Sequence, residues 1–273
     1  MILTYFVLIL FLILAVVYYA KKKPTHDRDW RADQTHLPYA VFKDRSVAIH
    51  NIRYCLYKSK TDYEVAYYDR TLNLDDLIGV DFIHQPFKKY ILAGHMFFSF
   101  KFKDGYHLAV SIEARRKRGE EYSWIKGFFK AYHLIYILAD ERDILKLRSL
   151  HHGDDVYVYP TKITINEANK LLADILRRVN QLEKKPEFYH TITNNCATNL
   201  VKHLNAALGL NIGYPLEIIF SKHAEKFFHK LELFTPSGNI KNYKKNFRIN
   251  ERVRQHQNND TDFSRMIRHK EDG

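Results

Sequence analysis

The chain has 273 residues, of which 46% are hydrophobic, so it can bury one large core or two small ones. This composition excludes an intrinsically disordered chain. Lysine and arginine number 43 against 31 acidic residues, and the resulting net charge of +12 favours partners that carry phosphate. Because zinc-finger spacing and RNA-binding aromatic signatures are missing, the charge favours a phospholipid membrane surface, and no nucleic-acid partner is expected.

A transmembrane helix is predicted at the N-terminus. Residues 2–20 contain no charged residue, proline or glycine, and about 20 such residues span the hydrocarbon layer of ~30 Å. A cleavable signal peptide fits less well, because no lysine or arginine precedes residue 21. The positive-inside tendency of Lys21, Lys22 and Lys23 would place the rest of the chain in the cytoplasm, so charge alone does not favour export.

The remaining chain divides into three parts by composition. Residues 21–38 are polar and form a predicted linker, whereas residues 39–220 form a predicted α+β domain with an antiparallel sheet packed on helices. Alternating apolar residues indicate strands at 47–57, 62–69, 79–84, 96–102, 106–114, 132–139 and 155–159. Residues 221–273 are basic and rich in asparagine, which predicts a partly disordered C-terminal extension.

Three helix starts can be located from the sequence. An apolar stripe predicts an amphipathic helix over 166–184. A second helix is predicted from Cys196 to Leu208, with Asn194 or Asn195 as its cap and Gly209 as its stop. Residues 140–143, with the sequence DERD, indicate another helix start, in which the acidic residues complement the helix dipole.

Residues 94–114 predict a β-hairpin whose register can be derived from its apolar faces. Directly opposed residues point to the same face, so matching the apolar faces requires paired residue numbers with an even sum. A three-residue turn at 103–105, with Gly105 in the left-handed conformation, gives a sum of 208. His95 then lies opposite Glu113, where an imidazole and a carboxylate could hydrogen-bond. The alternative is a cross-strand polar pair on a solvated face.

A histidine oriented by a carboxylate is one half of a nucleophilic site, and Cys196 can supply the other half. Backbone N–H groups at a helix start stabilise a thiolate and can form an oxyanion hole. The alternative is a small buried hydrophobic residue, and Cys55, within a predicted strand, fits that description better. Neither cysteine lies in a CxxC pair, although a disulfide between the two stays open. The spacing of the histidines does not suit a metal, so no metal site and no cofactor are predicted.

The sequence also resembles a known family. The blocks that carry the resemblance are NIRYCLYKSKTDYEVAYYDR, VDFI, GHMFFSFKFKDGYHLAVSIEARRKRGEEYS, GFFKAYHLIYILADERDILKLR, VYVYP and FYHTITNNCATNL. They resemble the Lnb N-terminal periplasmic domain family and, more broadly, the permuted papain-like and NlpC-like folds. The resemblance implies a thiol acyltransferase related to lipoprotein N-acyltransferases, in which Cys196 attacks a phospholipid ester, His95 transfers the proton and Glu113 holds the imidazole.

The resemblance also implies a location and possible partners. It places the domain in the periplasm, on a single-pass anchor in the bacterial inner membrane, with phospholipid and a lipoprotein acceptor as partners. Arg115, Arg116 and Asn195 are candidate substrate-binding residues, with a solvated basic turn as the alternative for the two arginines. Two other functions stay open: a cell-wall peptidase or amidase of the same fold, and a non-catalytic binding domain tethered to a membrane.

Overall fold

The computed structural model describes residues 2–235, 244–258 and 261–268. Its helices are α1 (Ile2–Lys21), α2 (Glu141–Lys146), α3 (Ile165–Lys184), α4 (Cys196–Leu208), α5 (Leu216–Ile219), α6 (Ala224–Lys230), α7 (Asn250–Gln255) and α8 (Phe263–Met266). Its strands are β1 (Tyr39–Lys43), β2 (Ser46–Arg53), β3 (Leu56–Tyr57), β4 (Tyr63–Glu64), β5 (Tyr67–Asn73), β6 (Leu77–Pro86), β7 (Gly94–Phe102), β8 (His107–Arg115), β9 (His133–Asp140) and β10 (Tyr157–Pro160). The predicted α+β class is confirmed.

The main sheet is mixed and not purely antiparallel as predicted. It has eight strands in the order β1-β2-β9-β8-β7-β6-β10, with β5 also paired to β2. The exception to antiparallel pairing is a short parallel contact between β2 and β9, where Arg53 faces Ala139. That contact joins the N-terminal strands to the central hairpin, a long-range pairing that alternation within single strands does not reveal.

The central hairpin, β7 and β8, has the predicted register. Phe98 faces Val110 and Phe100 faces Leu108, so the paired numbers sum to 208. Gly105 has a φ of +82° in the turn, a left-handed conformation that a residue with a Cβ adopts at a cost. The turn length therefore brings the apolar residues of both strands to the same side of the sheet.

Apolar cores cover both faces of the sheet. On one face, alternate residues of β6 to β9 pack with α3, α4 and α6 in the larger cluster, which includes Phe98, Val110 and Leu200. On the other face, Phe97 and Ile137 pack with α2 and with residues near the C-terminus. The sheet is consequently buried on both sides, as a sheet between two layers of helices must be.

The two long helices of the domain begin as the sequence predicts. Thr164 caps α3 and Asn195 caps α4, each in a reciprocal capping box with the residue three positions later. Gly209 ends α4 in the left-handed conformation, with a φ of +66°. Asp140 caps α2 by accepting a hydrogen bond from the N–H of Arg142, which confirms the third predicted helix start.

The predicted transmembrane anchor is not supported. The segment is helical and forms α1, but no helix in the described part of the chain combines the length and apolar character that crossing a bilayer requires. The end of α1 contacts the domain: Lys130 donates a hydrogen bond of 3.0 Å to the carbonyl of Tyr19, and the Tyr19 ring lies 6.1 Å from that of Phe129.

The segments on either side of the domain pack against it. In the predicted linker, the Trp30 ring is buried, and the guanidinium carbon of Arg115 lies 4.2 Å from its centroid. In the predicted C-terminal extension, buried residues include Phe228, Val253 and Phe263. Residues 236–243, 259–260 and 269–273 of that extension lie outside the described residues.

Arg268 attaches the end of the described chain to the sheet. Its Nε lies 2.8 Å from Oδ2 of Asp81, and its Nη2 lies 2.6 Å from Oε1 of Glu141. Both carboxylates are buried; Glu141 depends on this guanidinium for charge compensation, whereas Asp81 also pairs with Lys101 at 3.0 Å.

We expect Arg268→Ala to lower the free energy of unfolding by about 3–5 kcal/mol, because two buried carboxylates lose a shared cation. Arg265→Ala is the matched control, since Arg265 lies three residues earlier, on α8, but pairs with Asp262 in solvent. Urea unfolding measures both variants. Equal stability of the two would contradict a structural role for the Arg268 contacts.

Candidate functional site

Cys196 occupies the first position of α4, and its surroundings are built by the loop before it. The side chain of Asn195 accepts a hydrogen bond of 3.0 Å from the N–H of Thr198, which fixes the start of the helix. Asn199 holds the same loop through a hydrogen bond of 2.9 Å to Asn194. The predicted substrate-binding residue Asn195 is thus committed to capping, and the thiol follows it directly.

The thiol faces β7 next to the predicted histidine. The helix that begins at Cys196 packs against β7, and the backbone N–H groups of Met96 and Ala197 act to lower the pKa of the thiol. Met96 is the residue after His95, and the sequence prediction that Cys196 and His95 share one region therefore agrees with the backbone geometry. No hydrogen bond between their side chains occurs among the described residues.

The His95 ring is buried at the start of β7. Its Nε2 lies 2.7 Å from the hydroxyl of Ser111, and that hydroxyl donates a hydrogen bond of 2.8 Å to Oε1 of Glu113. Because the serine proton is given to the carboxylate, Nε2 of His95 must carry the proton that it shares with Ser111. The lone pair of the neutral ring is then on Nδ1, the nitrogen free to act as a base.

Ser111 therefore mediates the predicted contact between His95 and Glu113. The ladder between β7 and β8 extends only from Lys101 and His107 to Phe98 and Val110. Beyond that point β7 stays paired with β6 and β8 stays paired with β9, so the two strands separate. Ser111, two residues before the carboxylate, fills the space between them.

Arg148 completes the site, and sequence reasoning missed it. The guanidinium is buried; it forms an ion pair with Glu113, and its Nη2 lies 3.3 Å from the Ser111 hydroxyl. It lies in a π-helical turn, Leu147–His151, directly after α2. Single π-helical turns occur frequently at functional sites, but the sequence carries no clear signal for them.

A second layer of polar contacts holds Arg148. Its Nη1 donates a hydrogen bond of 2.6 Å to Oε1 of Gln85, whose Nε2 donates one of 2.8 Å to Asp154. Gln85 faces His95 across the ladder between β6 and β7. The guanidinium is thus oriented from the same strand pair that positions the imidazole.

Ser221 fixes the backbone just before His95. Its hydroxyl accepts a hydrogen bond of 3.0 Å from the N–H of Gly94 and donates one of 2.6 Å to the Gly94 carbonyl. A Cβ at residue 94 would lie 2.8 Å from the carbonyl oxygen of Ser221, so the close approach requires glycine.

The charge states of the site follow from burial and from Arg148. Burial and the nearby guanidinium lower the pKa of His95 to about 3. Burial raises the pKa of the Cys196 thiol to about 11, despite the two backbone hydrogen bonds. Burial alone would raise the pKa of Glu113, but the charge of Arg148 holds it well below its ordinary value. At neutral pH the site therefore contains a neutral thiol, a neutral imidazole and an ionised carboxylate.

The two predicted substrate-binding arginines contact the segment that precedes the domain. Arg115 is buried and donates hydrogen bonds to the carbonyls of Gln34 and Thr35, of 2.9 and 2.7 Å. The N–H of Arg116 donates to the side chain of Gln34 at 2.8 Å. Arg115 therefore connects the N-terminal segment to the domain and is not available at the mouth of the site.

Comparison with known proteins gives one match. A family model described as the Lnb N-terminal periplasmic domain matches residues 63–220, which include His95, Ser111, Glu113, Arg148 and Cys196. No curated protein and no solved structure matches the chain. The permuted papain-like assignment of the fold stays a prediction.

The protonation state of Cys196 can be measured by its reaction with iodoacetamide in the Cys55→Ser variant, which leaves one thiol. We expect the rate to rise with pH toward an inflection near 11, because the buried thiol loses its proton later than a free thiol of pKa ~8.5. At pH 7 alkylation should be about a hundredfold slower than that of a free thiol.

Cys55→Ser with Cys196→Ser is the control for background modification. An inflection below pH 8.5 would contradict this assignment and would indicate a preformed thiolate.

Proposed function

Because the chain belongs to the Lnb N-terminal periplasmic domain family, whose model covers more than half of it, we propose that it is a cysteine-dependent acyl-transfer enzyme of the periplasm. The observation that carries the proposal is the hydrogen-bonded series from His95 through Ser111 to Glu113, next to a thiol at a helix start. This arrangement contains a nucleophile, a base and an orienting carboxylate. Cys196 is the proposed nucleophile and His95 is the proposed base.

The first step forms a thioester on the enzyme. Cys196 attacks the acyl carbonyl carbon of a phospholipid ester, and Nδ1 of His95 accepts the thiol proton as the C–S bond forms. The ester C–O bond then breaks, and the protonated histidine returns the proton to the leaving alkoxide. The products are an acyl-enzyme thioester and a lysophospholipid.

The second step transfers the acyl group to an amine, for which the N-terminus of a lipoprotein is the proposed acceptor. The amine attacks the thioester carbon while His95 accepts a proton from its nitrogen. Collapse of the intermediate breaks the C–S bond, and the proton returns to the sulfur. The amide product leaves, and the neutral thiol and imidazole are restored.

The electrostatics support proton transfer during attack and not before it. A thiol with a pKa near 11 and an imidazole with a pKa near 3 do not form a resting ion pair. Glu113 is ionised, so it can stabilise the imidazolium when that ion forms, through the Ser111 hydroxyl. The N–H groups that reach Cys196, from Met96 and Ala197, lie where the developing oxyanion could also be bound.

The same charge states also fit one rival function. A binding domain without catalytic activity would also have a neutral thiol and a neutral histidine, since both are buried. In that case Cys196 would be a small core residue and Ser111 would only satisfy buried polar atoms.

The proposed chemistry is tested by trapping the acyl-enzyme. Incubation with phospholipid vesicles should add the mass of one acyl chain to the wild type, and hydroxylamine should remove it, because thioesters are labile to that nucleophile. Cys196→Ala should acquire no mass, and His95→Ala should acylate at least about a hundredfold more slowly. Cys55→Ala is the matched control and should acylate as the wild type does.

Two outcomes would contradict the proposal. Turnover of delipidated peptidoglycan fragments without any turnover of phospholipid would replace acyl transfer with amide hydrolysis. An absence of any covalent adduct, together with full cellular function of Cys196→Ala, would favour the binding domain.

Ser111 is a positioning residue in this mechanism, and its substitution separates positioning from stability. We expect Ser111→Ala to lower kcat by about tenfold to a hundredfold with little change in KM, because the imidazole loses its orienting partner. Ser99→Ala is the matched control: Ser99 is a buried serine on β7 that donates to Glu141. Ser99→Ala should keep kcat, and an equal loss in both variants would indicate a general effect on folding.

A further inference from the structure

Three loops converge on the site. They are residues 87–93, which lead into β7, residues 122–130, and residues 189–195, which lead into α4. Thr191 joins the last two loops: its hydroxyl donates a hydrogen bond of 2.7 Å to the carbonyl of Trp124, and its N–H lies 3.4 Å from the carbonyl of Gly127. The first loop ends at Gly94, where β7 begins one residue before His95, and α4 with Cys196 at its start packs against β7.

Each of these loops exposes large apolar side chains. The exposed fraction is 87% for Ile91, 51% for Trp124 and 53% for Ile125. Leu92 and Ile192 are also exposed. We call these five residues the apolar rim. The tip of the first loop is held by a hydrogen bond of 3.2 Å between the N–H of Lys222 and the carbonyl of Leu92.

The charges of the loops have a single sign. The sequences FKKYILA, YSWIKGFFK and YHTITNN contain no aspartate or glutamate, and they contain four lysines. Of these, Lys89 and Lys126 are exposed beside the rim residues. A surface that combines protruding apolar side chains with lysines complements a bilayer, whose interior is apolar and whose anionic headgroups are negative.

We infer that the apolar rim docks on the surface of a bilayer that contains anionic phospholipid, with the mouth of the site facing the lipid. This inference rests on the proposed function only in naming the acyl donor as the molecule that docking brings to Cys196. Docking itself depends on the rim alone. A water-filled gap would otherwise separate a phospholipid ester from the partly buried thiol.

The position of the two tryptophans provides a local readout in the full chain. The chain has two tryptophans; Trp30 is buried, and Trp124 lies in the rim. Vesicles of equimolar phosphatidylglycerol and phosphatidylcholine should shift the emission of Trp124 to shorter wavelength, and brominated acyl chains should quench it. Trp124→Phe should abolish both effects. Pure phosphatidylcholine should require at least about tenfold more lipid for the same shift.

Substitution of the rim tests whether docking serves catalysis. Ile91→Ser combined with Ile125→Ser should lower acyl transfer from vesicles by at least about tenfold, because two side chains lose their burial in lipid. Ile165→Ser is the matched control, since Ile165 is 54% exposed but begins α3, outside the three loops. The double variant should keep its turnover of a soluble short-chain thioester.

The outcomes separate docking from chemistry. Trp124 emission that does not respond to vesicles would overturn the inference, even if soluble donors are turned over. Equal losses from the double variant and from Ile165→Ser would overturn it as well. Docking of Cys196→Ala with a normal Trp124 response would support the rim, and Cys196→Ala that still transfers acyl groups would overturn the proposed function alone.

Discussion

The buried ion pair between Arg148 and Glu113 is the interaction on which the geometry of the site depends. Without a cation, burial would raise the pKa of this carboxyl group, and a protonated carboxyl group accepts the proton of Ser111 more weakly than a carboxylate does. Because Arg148 keeps Glu113 ionised, the serine hydroxyl must point at the carboxylate, and His95 must donate from Nε2. The tautomer of His95, and with it the location of the free lone pair, is thus decided by a residue in a π-helical turn.

The same ion pair has two opposing effects on the proposed base. The guanidinium lowers the pKa of His95 and stabilises the neutral ring, whereas Glu113 favours the imidazolium. The lowered pKa of His95 also makes the stability of the fold depend on pH. In the folded protein this pKa lies below the ordinary value of ~6.5, so the imidazole binds a proton more tightly in the unfolded chain. Stability is therefore full above that value and is lost as pH falls toward 3. A neutral imidazole and a neutral thiol avoid isolated buried charges, which is consistent with the proposed attack and proton transfer in one step.

Local patterns in the sequence predicted the local structure better than they predicted the long-range contacts. The register of β7 and β8 follows from the alternation of apolar residues and from the length of one turn, and α4 begins at Cys196 because Asn195 is a strong cap. By contrast, β1 was missed, and the bridging role of Ser111 depends on where two strands separate. Where they separate, β7 remains paired with β6 and β8 with β9, and these long-range pairings are not encoded in any local pattern.

Arg148 and the ends of the chain show the same limit. Arg148 is 35 positions from Glu113, and nothing in the sequence around it distinguishes it from an exposed arginine near a helix end. Polar composition predicted a linker and a partly disordered C-terminal extension, and within these segments Trp30 and Phe263 are buried. One buried aromatic side chain removes enough apolar surface from water to hold several polar neighbours, so average composition is a poor guide to order in such segments.

Only a few residues of chain separate the apolar rim from the proposed catalytic side chains. The hydrogen bonds that hold the backbone between them are therefore important. Leu92 is three residues from His95, and Ile192 is four residues from Cys196. A loop that enters lipid experiences forces that would displace both groups if the chain between them were free. The hydrogen bonds of Ser221 to Gly94 prevent this on one side, and the capping box of Asn195 does so on the other. A rim that docks on lipid, as we propose, would therefore leave the imidazole and the thiol at the positions that these hydrogen bonds set.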